Sequence, residues 1–310
     1  MIICDTHCDT LYRMAMHPGE ATDITDETLK KGAVSLQTMA MFVGGSRKIE
    51  DIRVAFQRME SAFDAWKRTH RQAFSPLEAR EGSAAFMLSV EGCDLMADGM
   101  QVLEHWHAIG VRMAAITWNY PNALATPHCA DAVSHLTPFG REAARYMAQL
   151  GIAPDVSHLN EAGFWDLLEM GLHPLASHSC CRTLCKNTRN LTDDQLQALF
   201  EAGGYVGVNF YPHFLRSRGT ARLKDIADHL EHMLALGGEG KIGFGSDFDG
   251  IECKPVGLED PSGLPALLDT LRDRFGPDIT RGIAGENLQE YYRRHYHDGK
   301  EAGMDPREQK

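Results

Sequence analysis

Two residues near the start of the chain, His7 and Asp9, have the chemistry and the spacing of metal ligands. They lie in the segment 5–10, which closely follows the apolar pair Ile2–Ile3. In a β-strand, residues i and i+2 point to the same side, so an imidazole and a carboxylate would leave the strand together. If a strand ends here, the pair can bind a divalent ion at the mouth of a barrel. Such a triplet also arises by chance, so the interpretation requires further ligands after other strands.

Histidines and carboxylates do follow other apolar stretches of the chain. Predicted strands end near Glu91, His158, His178 and Asp247. In an α/β barrel the carboxyl ends of the strands meet at one rim, where the catalytic residues of such barrels lie. A solvated loop residue explains any one of these side chains, but it explains poorly why they all fall at the same end of the strands.

The ligand types indicate which ion the site would bind. Three imidazoles and two carboxylates suit zinc or a similar borderline divalent ion. Five ligands suit two ions about 3.5–4 Å apart better than one open catalytic ion. The pair at the first strand would hold one ion and the two later histidines the other, with Glu91 as the bridge. Asp247 is then left to accept a proton from the bound water.

Short apolar runs alternate with longer amphipathic stretches along the chain. The runs predict eight strands, over residues 2–6, 34–42, 84–90, 111–117, 152–156, 173–177, 204–209 and 241–246. Helical spacing of apolar residues predicts helices over 48–73, 138–150, 160–170, 192–202 and 221–236, the fourth beginning with a capping box of Thr192 and Gln195. Alternating strands and helices predict an α/β fold, a TIM-like (β/α)8 barrel.

The end of the chain adds elements beyond the barrel. Residues 262–294 predict extra C-terminal helices, and the charged residues from about 298 to 310 predict a flexible tail. No repeat or low-complexity linker divides the sequence. We therefore expect residues 1–310 to form a single metallohydrolase barrel domain.

Charge and composition limit the classes of partner. The formal net charge of −12 argues against a nucleic-acid partner or an anionic membrane surface. We find no apolar run of transmembrane length, no signal peptide before the first motif and no apolar tail of the kind that a lipid-anchor signal needs. The eight cysteines form no Cys-x-x-Cys pair, which fits a reducing compartment. We expect a cytoplasmic protein without a membrane anchor.

Taken together, the motifs resemble the membrane (renal-type) dipeptidases, peptidase family M19, a branch of the amidohydrolase-like metalloenzymes. The matching stretches follow the family order over almost the whole chain, at residues 5–9, 90–92, 155–158, 177–179, 188–194, 208–211, 243–250 and 257–260. The resemblance implies a binuclear zinc dipeptidase on a TIM-like barrel, usually a homodimer. It also implies that small dipeptides, including those with a C-terminal D-residue, are hydrolysed by a hydroxide that bridges the metals.

The resemblance also implies a role for each matching residue. The expected roles are ligands of one zinc for His7 and Asp9, the bridging carboxylate for Glu91, ligands of the second zinc for His158 and His178, the catalytic carboxylate for Asp247 and the clamp on the substrate's terminal carboxylate for Arg189. Asp249 is a second carboxylate candidate, but the register of the motif selects Asp247. Asn209 and Tyr211 either line the substrate pocket or bond to nearby backbone.

The chain departs from the family pattern after the fourth strand. The renal enzyme has a histidine there that polarises the scissile carbonyl, whereas this sequence has Trp118. An indole donates only through its N–H and cannot become a cation. His128 lies nearby in sequence and could supply an imidazole, although a loop histidine without a catalytic role is the simpler interpretation. The departure affects the expected substrate range, not the metal ligands.

Other functions are compatible with the same barrel. An N-acyl-amino-acid deacylase, a lactonase or a phosphoesterase would also use a metal centre at the strand ends. Many amidohydrolases bridge their metals with a carboxylated lysine, but here the strand-end candidate is Glu91, which favours the dipeptidase branch. A non-catalytic metal-binding protein is a third hypothesis, against which the complete ligand set argues. Manganese, cobalt or iron would accept similar ligands in place of zinc.

Overall fold

The computed structural model describes residues 1–42 and 48–296. Within these residues nine parallel strands form one sheet: Cys4–Asp5 (β1), Leu36–Phe42 (β2), Arg71–Gln72 (β3), Ala85–Glu91 (β4), Val111–Ala115 (β5), Ala153–Asp155 (β6), Leu175–Ser179 (β7), Tyr205–Val208 (β8) and Ile242–Phe244 (β9). Eight of them pair in the order β1-β2-β4-β5-β6-β7-β8-β9, and β9 pairs with β1, so that the sheet closes. The predicted TIM-like barrel is confirmed. The tail predicted for 298–310 lies outside the described residues.

The ninth strand, β3, is not part of the closed barrel. It pairs with the first residues of β4, Ala85 and Phe86, before β5 takes over that edge at Leu88. The sequence predicts a helix over 48–73, but the observed helix ends at Trp66, the last residue of the apolar spacing that indicated it. The prediction was wrong beyond Trp66 because residues 67–70 form a turn, after which backbone pairing with β4 holds Arg71 and Gln72 extended.

The helices surround the barrel and follow its strands. Their bounds are Thr10–Met16 (α1), Asp26–Lys31 (α2), Ile49–Trp66 (α3), Gln101–Ile109 (α4), Pro138–Gln149 (α5), Glu161–Glu169 (α6), Asp193–Glu201 (α7), Pro212–Leu215 (α8), Leu223–Ala235 (α9), Leu264–Phe275 (α10), Pro277–Arg281 (α11) and Asn287–His295 (α12). Short 3-10 segments lie at Pro76–Glu78, Asp94–Asp98 and Pro261–Gly263, and a π-helical turn lies at Gly282–Glu286. Helices α5, α6, α7 and α9 agree with the predicted spans to within two residues.

The predicted capping box begins α7. The Gln195 N–H donates to the Thr192 hydroxyl at 3.2 Å, and the Thr192 N–H donates to Gln195 Oε1 at 3.0 Å. These two bonds satisfy N–H groups that the first turn of a helix leaves without a partner. Arg189 lies three residues before Thr192, so the capping box also sets the end of the loop that contains Arg189.

The C-terminal helix closes one end of the barrel. Leu288, Tyr291 and Tyr292 of α12 are buried against the first residues of several strands, including Cys4 and Leu36. The Tyr291 hydroxyl donates to the His173 carbonyl at 2.7 Å. The amino ends of the strands are therefore covered, and the opposite end is left for a site. In the described part of the chain, no helix combines the length and apolar character needed to cross a bilayer.

Candidate active site

Six of the predicted site residues meet at the carboxyl ends of the barrel strands. His7 and Asp9 follow β1, Glu91 ends β4, His158 follows β6, His178 lies in β7 and Asp247 follows β9. Each is at most 9% exposed. Burying so many ionisable groups in one place raises the free energy of the folded state unless a partner of opposite charge compensates them.

Glu91 lies at the centre of this group. Its Oε1 atom is 2.9 Å from His158 Nε2, 3.2 Å from His178 Nε2 and 3.8 Å from His7 Nε2. The His7 and His178 rings stack with their centroids 3.7 Å apart. One carboxylate oxygen therefore faces three imidazole nitrogens that come from three different strands.

The ligand atoms form three overlapping groups, each with all its atoms within 4.8 Å: His7, Asp9 and Glu91; Glu91, His158 and His178; and His7, His178 and Asp247. The first two groups correspond to the division between two ions that the sequence predicts, and they share Glu91. The third group is not expected from the sequence. It gives Asp247 the geometry of a ligand as well as that of a base.

Hydrogen bonds at Nδ1 indicate where the histidine protons lie. His158 Nδ1 is 2.9 Å from Asn119 Oδ1, and His178 Nδ1 is 2.7 Å from the Ser177 hydroxyl, which donates its own proton to Asp155. Both Nδ1 atoms then act as donors, so both Nε2 atoms carry lone pairs. These Nε2 atoms are 3.2 Å apart. Two lone pairs at this distance repel each other unless a cation lies between them, as in metal centres with oriented histidines.

Burial and like charges shift the pKa values in the centre toward the uncharged forms, a protonated acid and a neutral imidazole. Burial, reinforced by neighbouring carboxylates, raises the pKa of Glu91 and of Asp9 well above the usual range. Burial also raises the pKa of Asp247 to about 6 and lowers the pKa of His7 to about 3. A divalent ion must displace protons from these acids, so its binding strengthens as the pH rises.

Two atoms of the centre are buried without a hydrogen-bond partner within the described residues, His7 Nε2 and Asp9 Oδ1. Buried polar atoms in proteins nearly always have a partner, and each exception needs an explanation. Both atoms belong to the same ligand group. The donor set, the facing lone pairs and these unpartnered atoms all fit divalent ions of the zinc class.

Two buried aspartates hold the strand ends in place, and the sequence analysis gave them no role. Asp5 accepts from the N–H two residues later at 3.2 Å and from the Ser246 N–H and hydroxyl at 2.8 and 2.5 Å. Asp155 accepts from the N–H two residues later at 2.8 Å, from the Ser177 N–H at 3.0 Å and from the Ser177 hydroxyl. Each carboxylate thus fastens its own strand to a neighbouring one. An aspartate two residues before a turn is the sequence signal that could have found them.

The backbone of the site is strained where ligands leave the strands. His158 and Asp247 have φ angles of +67° and +66°, in the left-handed region that residues with a Cβ seldom adopt. Such strain concentrates at functional sites. Nearby, a Cβ at Gly250 would lie 2.0 Å from Asp9 Oδ2 and 2.6 Å from Asp247 Oδ1, so only glycine lets these carboxylates approach.

Asn209 acts on the site through Asp247. Its Nδ2 donates to Asp247 Oδ2 at 2.9 Å, and its Oδ1 accepts from the Tyr211 N–H at 2.6 Å. The side chain is fully buried and does not line the cavity described below. Of the two alternatives that the sequence leaves open for Asn209, the structure thus shows a bond to backbone, together with an unexpected bond to Asp247.

Asp249, the second carboxylate candidate, has different partners. It accepts from the Thr10 hydroxyl at 2.6 Å and from the Asp23 N–H at 2.7 Å. Asp23 in turn accepts from the Asp249 N–H at 2.9 Å. Asp249 therefore links the loop after β9 to the segment before α2, and Asp247 is the one that reaches the histidines.

A cavity of about 330 Å³ opens onto the centre. This volume is at the lower end of the range for small-ligand sites. Asp9, Glu91, His158 and Asp247 line it together with aromatic residues that include Tyr12, Phe42, Trp118, Tyr211 and Phe214. The Trp118 ring lies edge-on to Phe42 at 4.7 Å. Trp118 and Tyr211 are thus wall residues of this cavity.

Arg189 is buried beside the cavity. Its guanidinium donates to the Ser179 hydroxyl at 2.8 Å and to the His178 carbonyl at 2.9 Å, and it lies 5.8 Å from the ring centre of Phe214. Its Nε has no hydrogen-bond partner in the described chain. Arg189 therefore supports the strand that carries His178 and keeps one buried N–H without a partner among the described residues, although it does not itself line the cavity.

His128 lies at the edge of the site. Its ring centre is 6.0 Å from that of His158, and its Nδ1 is 2.9 Å from the Thr188 hydroxyl. Burial, helped by Arg189 and Arg182, lowers its pKa to about 4. His128 is therefore neutral at neutral pH, and Trp118, not His128, lines the cavity.

A buried cluster of histidines and carboxylates at the mouth of a (β/α)8 barrel is a type of site that metal-dependent hydrolases carry. The model of the membrane dipeptidase family, peptidase family M19, matches residues 1–296, and the chain belongs to this family. An uncharacterized dipeptidase of Schizosaccharomyces pombe is 35% identical over 218 residues, which are 67% of this chain and 52% of that protein. The match thus spans about half of the yeast relative. Dipeptidase aclJ of Aspergillus oryzae is 29% identical over 282 residues, 84% of this chain and 67% of that protein.

Solved structures share the fold along almost the whole chain. A metallopeptidase from Rhodobacter sphaeroides, in complex with a phosphinate mimic of the dipeptide L-Ala-D-Ala, has a TM-score of 0.89 at 24% identity, covering 96% of this chain and 99% of that one. The dipeptidase AC, a metallopeptidase of family M19, has a TM-score of 0.87 at 26% identity with the same coverage of both chains.

We predict that Asn119→Ala weakens divalent-ion binding at the centre by about 10–100-fold, because His158 loses the acceptor that orients its ring. Competition with a chromogenic chelator at neutral pH measures this affinity. Asn119→Asp keeps an acceptor oxygen and is the matched control, in which binding should persist. An unchanged affinity in Asn119→Ala would show that this hydrogen bond does not orient a ligand.

Proposed function

We propose that the protein is a binuclear zinc dipeptidase that hydrolyses the amide bond of small dipeptides, including those with a C-terminal D-residue. The observation that carries the proposal is Glu91, whose carboxylate is common to two groups of metal ligands at the floor of a cavity of dipeptide size. Family membership supports the reaction, and a relative bound to a mimic of L-Ala-D-Ala supports the substrate class. A homodimer, expected from the resemblance, remains a prediction.

The buried ligands would divide between two zinc ions. His7 and Asp9 would hold one, His158 and His178 the other, and Glu91 would contact both. When bound, the ions would supply Lewis-acid activation of a water molecule. The chain itself orients the two later imidazoles, through Asn119 and Ser177.

Asp247 would carry the proton during the reaction. Its Oδ1 lies 3.8 Å from His7 Nε2, within the centre, while Asn209 holds its Oδ2. A carboxylate fixed in this way can accept a proton from water and return it to the leaving amine. The raised pKa of Asp247 suits a group that must both take and give a proton.

Arg189 would recognise the free carboxylate of the substrate. Its Nε–H has no partner in the described chain, and a guanidinium can bind a carboxylate through two parallel hydrogen bonds. The aromatic walls, including Trp118 and Tyr211, would contact the substrate side chains. The cavity would thus bind a dipeptide by one charged end and by apolar contacts along its length.

The proposal is tested with a panel of substrates and zinc-loaded protein. We expect cleavage of L-Xaa-L-Xaa and L-Xaa-D-Xaa dipeptides but not of N-acyl amino acids. The Glu91→Gln variant should lose this activity, because it replaces the carboxylate shared by the two ligand groups. Cleavage of N-acyl substrates alone would instead favour a deacylase, and no hydrolysis by protein with both ions bound would reject the enzyme hypothesis.

For Asp247→Asn we predict a fall in kcat of about 10²–10⁴-fold with the metal content unchanged, since the variant keeps the shape but loses the base. Steady-state kinetics and elemental analysis of the same preparation provide both measurements. A variant that loses metal as well as activity would make Asp247 a ligand, which the third ligand group also allows.

For Arg189→Ala we predict a rise in KM of about 10–100-fold for dipeptides with a free carboxylate, the loss expected for hydrogen bonds to a charged group. Dipeptide amides should be affected much less. Because Arg189 also supports the strand of His178, thermal unfolding must show that the variant is folded. Equal increases for both substrate types would reject the carboxylate-binding role.

A further inference from the structure

A second group of metal-ligand side chains lies at the rim of the cavity, and it shares no residue with the buried centre. It consists of His213, Glu252 and Cys253, whose ligand atoms all lie within 4.8 Å of one another. We call this group the rim cluster. His213 belongs to α8, and the other two residues lie in the loop that follows β9. His213 and Glu252 are exposed and Cys253 is partly buried, so an ion can reach them directly from solvent.

We propose that the rim cluster is a separate metal site that binds zinc or another thiophilic divalent ion. An imidazole, a carboxylate and a thiolate are all ligands of zinc, and three of them leave the fourth tetrahedral vertex to water. The thiolate disfavours magnesium, calcium and manganese, which prefer oxygen ligands. The buried centre has no cysteine among its ligands, so the two sites differ in chemistry as well as in place.

The geometry requires only small movements for an ion to bind. Ligand atoms around a tetrahedral zinc lie about 3.3–3.7 Å apart, given the usual zinc–ligand bond lengths. In the described chain, no side-chain hydrogen bond holds the His213 ring or the Cys253 thiol, so both can turn inward. Glu252 accepts from the Tyr211 hydroxyl through one carboxylate oxygen and keeps the other available.

An ion at the rim cluster would affect the entrance of the cavity. Tyr211 and Glu252 both line the cavity, and the His213 ring lies 5.0 Å from the Tyr211 ring. An ion bound here would join α8 to the loop after β9 and fix both wall residues. We expect excess zinc to hinder substrate entry, which raises KM and leaves kcat nearly unchanged. This expectation rests on the proposed dipeptidase function.

The site is tested first by binding, without reference to activity. Tag-free protein is titrated with Co²⁺, because a thiolate ligand gives cobalt an intense near-ultraviolet charge-transfer band that imidazole and carboxylate ligands do not give. We expect the band in the unmodified protein, and equilibrium dialysis should show one ion more per chain than in Cys253→Ser. Both Cys253→Ser and His213→Gln should lose or strongly weaken the band.

Cys129→Ser is the matched control, since Cys129 is the exposed cysteine and the other six, apart from Cys253, are buried. It should keep the band. A band that is absent from the unmodified protein, persists in Cys253→Ser or disappears in Cys129→Ser would overturn the proposal.

The kinetic consequence is tested separately with dipeptide substrates. Zinc added beyond the amount needed for full activity should raise KM in the unmodified protein and in Cys129→Ser, but not in Cys253→Ser. Inhibition that is equal in all three proteins would overturn the effect on the entrance. If the protein proved not to be a dipeptidase, the cobalt band and its dependence on Cys253 would still decide whether the rim cluster binds metal.

Discussion

The contact of one Glu91 oxygen with three imidazole nitrogens is the interaction on which the site depends. A buried carboxylate surrounded by lone pairs and other acids is unfavourable by several kcal/mol unless positive charge compensates it. The raised pKa of Glu91, caused by burial and by the neighbouring Asp9 and Asp247, expresses this imbalance. Ions that enter the centre remove it, so their binding would stabilise the folded barrel as well as complete the site.

The chain holds this arrangement with bonds that do not involve the ions. Asp5 and Asp155 each join two strands shortly before His7 and His158. Ser177, which bonds to Asp155, also forms a hydrogen bond with His178 Nδ1. Such fixed bonds can support the positive φ angles of His158 and Asp247, which otherwise cost about 1–3 kcal/mol each. The site is therefore organised by strand-to-strand bonds that act on the ligands through the backbone and the ring Nδ1 atoms.

Sequence reasoning succeeded where topology alone determines proximity. Parallel strands of a closed barrel end at one rim, so placing His7, Glu91 and His178 at the ends of three different strands was enough to predict that they lie close together. Sequence reasoning failed where side-chain rotamers and the close approach of atoms determine the arrangement. The acceptor role of Asn119 depends on its side-chain orientation, and the need for glycine at position 250 depends on two carboxylates that are distant from each other in sequence. Strand β3 was missed because two paired residues leave no periodic pattern.

Trp118 changes what the cavity wall can contribute. The resemblance places a carbonyl-polarising histidine at this point, but an indole carries no titratable charge. Its ring lies edge-on to Phe42 and 6.5 Å from the His158 ring, so it forms an apolar wall beside the buried histidines. His128, with a pKa of about 4, cannot replace the missing cation at neutral pH. This wall therefore offers shape and aromatic contact but no positive charge, and among the residues that line the cavity the guanidinium of Arg13 carries one.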